Sequence, residues 1–190
     1  VYLSALLRPQ LAPESVLPLT ALGAVAACDA VERTCGVRPQ IKWTNDLVLN
    51  GKKLSGTLTE LSLEGESGAL QYAVIGIGVN CNNALDDRVY VIGAAKGVQR
   101  AALAAALIEE RDKLYAALQS GDTASYLTAY RRDCLTLGRE VQLLWQNVKE
   151  KVTALDVDEQ FGLVVRHEDG RVETIRTGEV SVRGLYGYVE

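Results

Sequence analysis

Residues 40–61, QIKWTNDLVLNGKKLSGTLTEL, set three short apolar runs around one tight turn. Gln40 to Trp43, Leu47 to Leu49 and Leu54 to Leu61 have the length and composition of strands, and Asn50-Gly51 supplies the positive-φ pair of a two-residue hairpin. Upstream, Val1 to Leu7 reads as a strand ended by Pro9. Leu17 to Cys35 then repeats apolar residues at helical intervals (Leu22, Val25, Ala26, Ala30), with Pro18 to start the helix and Gly36 to stop it. Downstream, Tyr72 to Val79 is apolar enough for a central strand. Val98 to Leu118 (Leu103, Leu107, Leu114, Leu118) and Ala124 to Leu135 (Tyr126, Leu127, Tyr130) read as amphipathic covering helices whose charged faces meet solvent. The expectation is α+β, a mixed β-sheet with covering helices.

The texture changes after Gly138. Glu140 to Trp145, Lys149 to Asp156, Leu163 to Arg166, Val172 to Arg176 and Glu179 to Val182 alternate as short strands, with Asp169-Gly170 as a turn. A small C-terminal β-barrel of SH3-like or OB type is expected, with the boundary near Thr136 to Gly138: residues 1–136 form one domain and 137–190 the second.

Composition bounds what this architecture can do. The 190 residues are 48% hydrophobic and 23% charged, enough for a sizeable core, and no apolar run approaches the length of a membrane span. A net charge of -4 gives no general pull toward nucleic acid or anionic lipid. Any anion site must be local. Cys28, Cys35, Cys81 and Cys134 form no C-x-x-C pair or zinc pattern, and His167 stands alone. They read as reduced, mostly buried thiols of a cytoplasmic protein. The chain starts in what reads as mid-strand and contains no Met, so it is expected to begin inside a longer protein.

Three segments put polar groups beside strands that should otherwise be buried. Lys42-Trp43-Thr44-Asn45-Asp46 ends a strand with a cation, an indole, an amide and a carboxylate. The amide suits the N1/N6 edge of adenine, and the carboxylate can position a cation or an amine. An Asx turn, with Asn45 and Asp46 bonded to their own backbone, fits the same letters equally well. In Gly51-Lys52-Lys53-Leu54-Ser55-Gly56, a lysine entering a buried strand must either reach water or meet an anion, and Gly56 lets a ligand approach the backbone. A solvated hairpin lysine is the plainer alternative. Ile75-Gly76-Ile77-Gly78-Val79-Asn80 lacks the third glycine and the immediate helix of a dinucleotide loop. Its glycines imply a flat wall for a planar ligand.

These segments, in this order and spacing, resemble the biotin protein ligases. KWTND is similar to that family's K-W-P-N-D, with Thr44 where Pro is usual. GKKLSGTLTE is similar to R-K-L-x-G-I-L-x-E, IGIGVN to G-I-G-I/V-N, and VYLSALLRP to L-Y-x-S-L-L-L-R-P. TGEVSVRGLYGY is similar to the segment that closes the family's SH3-like domain. The resemblance extends over nearly the whole chain, except for the poorly matching stretch from Asn82 to Gly97. It implies a catalytic sheet like that of class II aminoacyl-tRNA synthetases, of which residues 1–136 would be all but the N-terminal part. The family's S-T-N segment and its G-R-G-R-x-G-R loop would lie upstream of Val1.

What the resemblance implies for residues is equally specific. Lys53, and not Lys52, matches the lysine that contacts the biotin carboxylate and the adenylate phosphate. Asn45 and Asn80 match amides that bind adenine, with Lys42 and Trp43 in the same nucleotide-binding set. Asp46 matches a carboxylate near the reacting groups and a possible metal contact. Gly56 and Leu58 match positions beside biotin, Gly76, Gly78 and Val79 the apolar wall, and Glu179 and Arg183 C-terminal residues near the nucleotide. The implied reaction is ATP-dependent, Mg²⁺-assisted formation of biotinyl-5′-AMP, followed by transfer to a lysine of a biotin carboxyl carrier protein. A homodimer is implied, and DNA binding only if a helix-turn-helix domain lies upstream. The alternatives are a lipoate ligase and a non-catalytic biotin sensor or transcriptional regulator. The acidic balance disfavours a nucleic-acid role for the C-terminal strands.

Overall fold

The structure is a computed structural model that describes residues 1–12, 16–81, 98–145, 148–176 and 179–182. The stretch from Asn82 to Gly97 and the candidate residue Arg183 lie outside the described residues.

The first sheet consists of β1 (Tyr2–Leu7), β2 (Gln40–Lys42), β3 (Asp46–Leu49), β4 (Lys52–Leu63) and β5 (Leu70–Val79), in the order β1-β5-β4-β3-β2. All its strand pairings are antiparallel. Among the described residues, the parallel component expected of a mixed sheet is an isolated bridge between Ile41 and Cys134. Asn50 and Gly51 both have positive φ, 52° and 74°, as the two-residue turn between β3 and β4 requires. β4 is longer than its apolar core suggests, because pairing with β5 continues to Leu63 and carries Ser62 with it.

One face of this sheet is covered by α1 (Val16–Cys35), whose residues from Pro18 to Cys28 are all buried. Its small residues allow close approach to the sheet. A Cβ on Gly23 would stand 2.7 Å from Thr57 Cγ2 and 3.2 Å from Ile75 Cγ2. The strand residues facing it follow period two: Ala73, Ile75, Ile77 and Val79 on β5 are buried. α2 (Arg100–Gln119) packs on α1, and Arg33 near the end of α1 pairs with Glu109 and Glu110. α3 (Ala124–Asp133) is tied to the same end. There Arg38 meets Asp29, Glu32 and Asp133, and burial would raise the Asp133 carboxyl, but hydrogen bonds from Arg132 and Arg38 hold it below its usual range.

The second sheet, β6 (Glu140–Trp145), β7 (Val148–Val157), β8 (Leu163–His167), β9 (Val172–Ile175) and β10 (Glu179–Val182), is also antiparallel throughout, in the order β10-β6-β7-β8-β9. Its core is Val141, Leu143, Val152, Ala154, Val157, Phe161, Leu163, Val165 and Val180. The segment leading into it is pinned at both ends, since Leu135 N–H donates to the Ile41 carbonyl and Gly138 N–H to the Ala154 carbonyl.

Candidate functional site

Register across the first sheet brings the three polar segments into one row. Lys42 pairs with Asp46, Asp46 with Gly56, Gly56 with Gly78, and Gly78 with Tyr2, so five strands each contribute one residue to the same face. The next row is Leu58, Gly76 and Ser4. This is the face opposite α1. Among the described residues it is open, with Tyr2 87% and Leu58 63% exposed. Gly56, Gly76 and Gly78 thus floor a shallow trough with backbone, and Tyr2 and Leu58 stand at its sides.

Lys53 joins this row through an irregularity. It is three residues from Gly56, an odd separation that would put the two on opposite faces of a regular strand. The β3–β4 register shifts, however, with Leu47 opposite Ser55 and Val48 opposite Lys53, so Leu54 is an extra residue without a partner on β3. Such a bulge re-aims the side chains that follow it. Leu54 and Ser55 are both buried, while Lys53 lies over Gly56: a Cβ there would be 3.6 Å from Lys53 Nζ and 3.4 Å from Asp46 Oδ1. Lys53 Nζ itself is 2.6 Å from Asp46 Oδ1. The Asp46 side chain is largely shielded and the Lys53 side chain is 43% exposed, so the pair holds a cation above a glycine floor with its outer side toward solvent.

Two asparagines flank the bulged segment, Asn45 through side chain and backbone and Asn80 through its backbone. Asn45 donates from Nδ2 to the Thr57 carbonyl at 2.7 Å, and its own carbonyl accepts from Thr57 N–H at 2.9 Å. These bonds cross to the neighbouring strand, so the Asn45 amide does not form an Asx turn on its own backbone, and its oxygen and second N–H are not used by these bonds. From the other side, Asn80 N–H donates to the carbonyl of Leu54.

Other expected site residues lie elsewhere. Trp43 is 3% exposed, and its indole N–H donates to the Phe161 carbonyl, so it supports the turn from behind and does not line the trough. Val79 is on the face covered by α1, the consequence of alternation with Gly78. Glu179 opens β10 opposite Leu144, with its side chain outside the described residues, as is all of Arg183. Sequence reasoning missed Tyr2, whose ring lies 3.4 Å from a Cβ on Gly78, and the residues behind Trp43. Only the register could have found them.

Other chemistry-bearing side chains are occupied. His167 sits between Glu150, Nδ1 to Oε1 2.5 Å, and Glu173, Nε2 to Oε1 3.1 Å, and the hydrogen bond with Glu150 raises its pKa despite burial. All four cysteines are free, and burial pushes the Cys28 and Cys134 thiols up, away from nucleophilic use. Among the described residues no three His, Cys, Asp or Glu side chains cluster as a metal site.

Comparison with known proteins points in one direction. The Biotin/lipoate A/B protein ligase family matches residues 2–80. The "Bifunctional ligase/repressor BirA" of Bacillus spizizenii is 39% identical over 46% of this chain and 26% of its own length. The Escherichia coli protein of the same name is 26% identical over 96% of this chain and 58% of its length. The chain thus spans about a quarter to somewhat over half of these curated relatives. The crystal structure of the biotin protein ligase from Aquifex aeolicus superposes with a TM-score of 0.82 at 25% identity, covering 96% of this chain and 81% of that one. The structural likeness covers nearly the whole chain, and residues 2–80 are similar to the biotin/lipoate A/B protein ligase family.

Proposed function

We propose that this protein activates biotin with ATP to biotinyl-5′-AMP and transfers the biotinyl group to a lysine of a biotin carboxyl carrier protein. The observation that carries the reading is the placement of Lys53, set by the Leu54 bulge over Gly56 and steadied by Asp46. A biotin carboxylate and a triphosphate repel each other, so their meeting requires a fixed cation between them more than it requires a base. Lys53 is that cation. The glycine floor takes the planar ring system beside Leu58, and the free edges of Asn45, with Asn80 at the other end of the trough, take the adenine. The biotin reading, ahead of lipoate, is supported by the Aquifex aeolicus ligase, 25% identical and also solved in complex with biotin.

In the transfer step the incoming lysine must lose a proton, and Asp46 is the carboxylate beside the reacting groups that can hold it. Mg²⁺ would arrive on the triphosphate, since Asp46 offers one carboxylate and Mg²⁺ commonly takes only one or two from protein. Lys42, at the β2 end of the row, adds positive charge near the phosphates. Glu179 and Arg183 are assigned to the nucleotide side from the second domain, residues 137–190, with residues 1–136 as the catalytic domain. The resemblance assigns the protein to the cytoplasm as a homodimer, and its four cysteines are free.

The test is biotin-dependent pyrophosphate release by the intact protein. Lys53→Ala should lower the rate at saturating biotin and ATP by about 100-fold or more, the scale of losing one preorganised charge contact, with the fold intact by circular dichroism. An unchanged rate would remove Lys53 from the mechanism. Biotin binding without any pyrophosphate release by the unsubstituted protein would favour the sensor alternative.

A further inference from the structure

The turn that carries Asn45 and Asp46 is held from behind by groups far away in sequence. Trp43 N–H donates to Thr136 Oγ1 at 3.0 Å, Trp43 Nε1–H to the Phe161 carbonyl at 2.9 Å, and the Tyr130 hydroxyl to the Thr44 carbonyl at 2.8 Å. Thr136, Tyr130 and Phe161 are fully buried. Phe161 comes from the loop between β7 and β8, in the second sheet, and is the chain's only phenylalanine. Its ring stacks on Tyr126 of α3 with centroids 5.0 Å apart and meets Tyr130 edge-on at 5.5 Å.

The loop behind Phe161 is itself rigidly braced. Asp158 Oδ1 accepts from Gln160 N–H and Gly162 N–H, its carbonyl accepts from Phe161 N–H, and Arg176 pairs with its carboxylate. Phe161 sits at φ +64°, a conformation a bulky side chain seldom adopts. The conformation is maintained because both halves of the residue are used at once, the ring between two tyrosines and the carbonyl on the Trp43 indole.

We infer that Phe161 and Tyr130 are positioning residues: the second sheet through Phe161, together with Tyr130 of α3, fixes the Trp43–Thr44 turn so that Asp46 and Asn45 stand in register beside Lys53. This rests on the biotin-activation reading. The second sheet then contributes to chemistry without any of these residues touching a reactant. A displacement of about 1 Å at a reacting group is enough to cost tenfold or more in rate.

Two Tyr→Phe substitutions in the same aromatic cluster separate positioning from packing. Tyr130→Phe removes the hydroxyl bonded to Thr44. Tyr126→Phe removes a buried hydroxyl that has no partner among the described residues and keeps the stack on Phe161. In the intact protein, Tyr130→Phe should lower kcat for biotin-dependent pyrophosphate release about tenfold, with biotin Kd by calorimetry within about twofold of the unsubstituted protein. Tyr126→Phe should leave kcat unchanged. Phe161→Leu, of similar volume but without the ring stack, should reproduce the Tyr130→Phe loss. Wild-type kcat in Tyr130→Phe overturns the inference, as does equal loss in both tyrosine variants. Should Phe161→Leu not fold, the tyrosine pair decides alone. Absence of pyrophosphate release from the unsubstituted protein would instead overturn the activity on which the inference rests.

Discussion

The two faces of β4 respond to the same physics in opposite ways. On the face toward α1, Ser55 and Thr57 are 1% and 2% exposed and packed so closely that the helix needs Gly23 opposite Thr57. On the other face the atoms nearest a Cβ on Gly56 belong to Asp46 and Lys53, and Leu58 is mostly exposed. The covered face keeps polar atoms it does not satisfy, because the Ser55 and Thr57 hydroxyls lack partners among the described residues. The open face keeps glycines that weaken a strand. Each face therefore carries a feature that stability alone would remove. Only on the open face does the feature have charged neighbours, Lys53 and Asp46, that the proposed reaction would use.

Gly56→Val would break this contrast most severely. Its Cβ meets Asp46 Oδ1 at 3.4 Å and Lys53 Cε at 3.5 Å, so the added methyls must push the lysine off the trough. Biotin-dependent pyrophosphate release should fall about 100-fold, comparable with losing the lysine contact itself. The free energy of unfolding should change by no more than about 1 kcal/mol, since β-propensity favours Val over Gly in a strand. A large loss of stability with the rate per folded molecule unchanged would mean that the open face is a packing surface.

The adjacent residue should behave in the reverse sense. Thr57→Val replaces a buried hydroxyl that has no partner among the described residues with a methyl group of nearly the same shape. Removing an unsatisfied buried polar group should stabilise the protein by about 1 kcal/mol in urea denaturation, with pyrophosphate release unchanged. A gain in stability accompanied by a loss of activity would show that the two faces are coupled through the strand.

Much of this fold can be read from period alone. The alternation of Ile75, Ile77 and Val79, the Asn50-Gly51 turn and the helical spacing in α1 are local signals, and each element lies within a few residues of its expected bounds. The bulge is not local. Period two applied to β4 places Lys53 with Ser55 and Thr57 in the buried set, and only the β3 register shows Leu54 to be the extra residue. Trp43 fails for the same reason, because its indole partner is 118 residues further along the chain. Motif similarity assigns it to the nucleotide, whereas burial and hydrogen bonding place it behind the turn that carries Asn45 and Asp46.

The smallest expected effect sharpens the contrast within a single pair of letters. Lys52 and Lys53 are chemically identical and adjacent, and a sequence reading without register has no physical ground to prefer one. Lys52 pairs with Leu49 next to the turn and is exposed, whereas Lys53 is half-buried and 2.6 Å from Asp46. Lys52→Ala removes a solvated charge, for which about 0.5 kcal/mol or less in stability is expected. Pyrophosphate release should stay within about twofold, the residue having no place in the trough to lose. A Lys52→Ala loss approaching that of Lys53→Ala would mean that net positive charge at the hairpin, and not the geometry imposed by Leu54, brings carboxylate and phosphate together. Raising the salt concentration distinguishes the two: a diffuse charge effect weakens with screening in the unsubstituted protein, and a contact fixed at hydrogen-bond distance weakens far less.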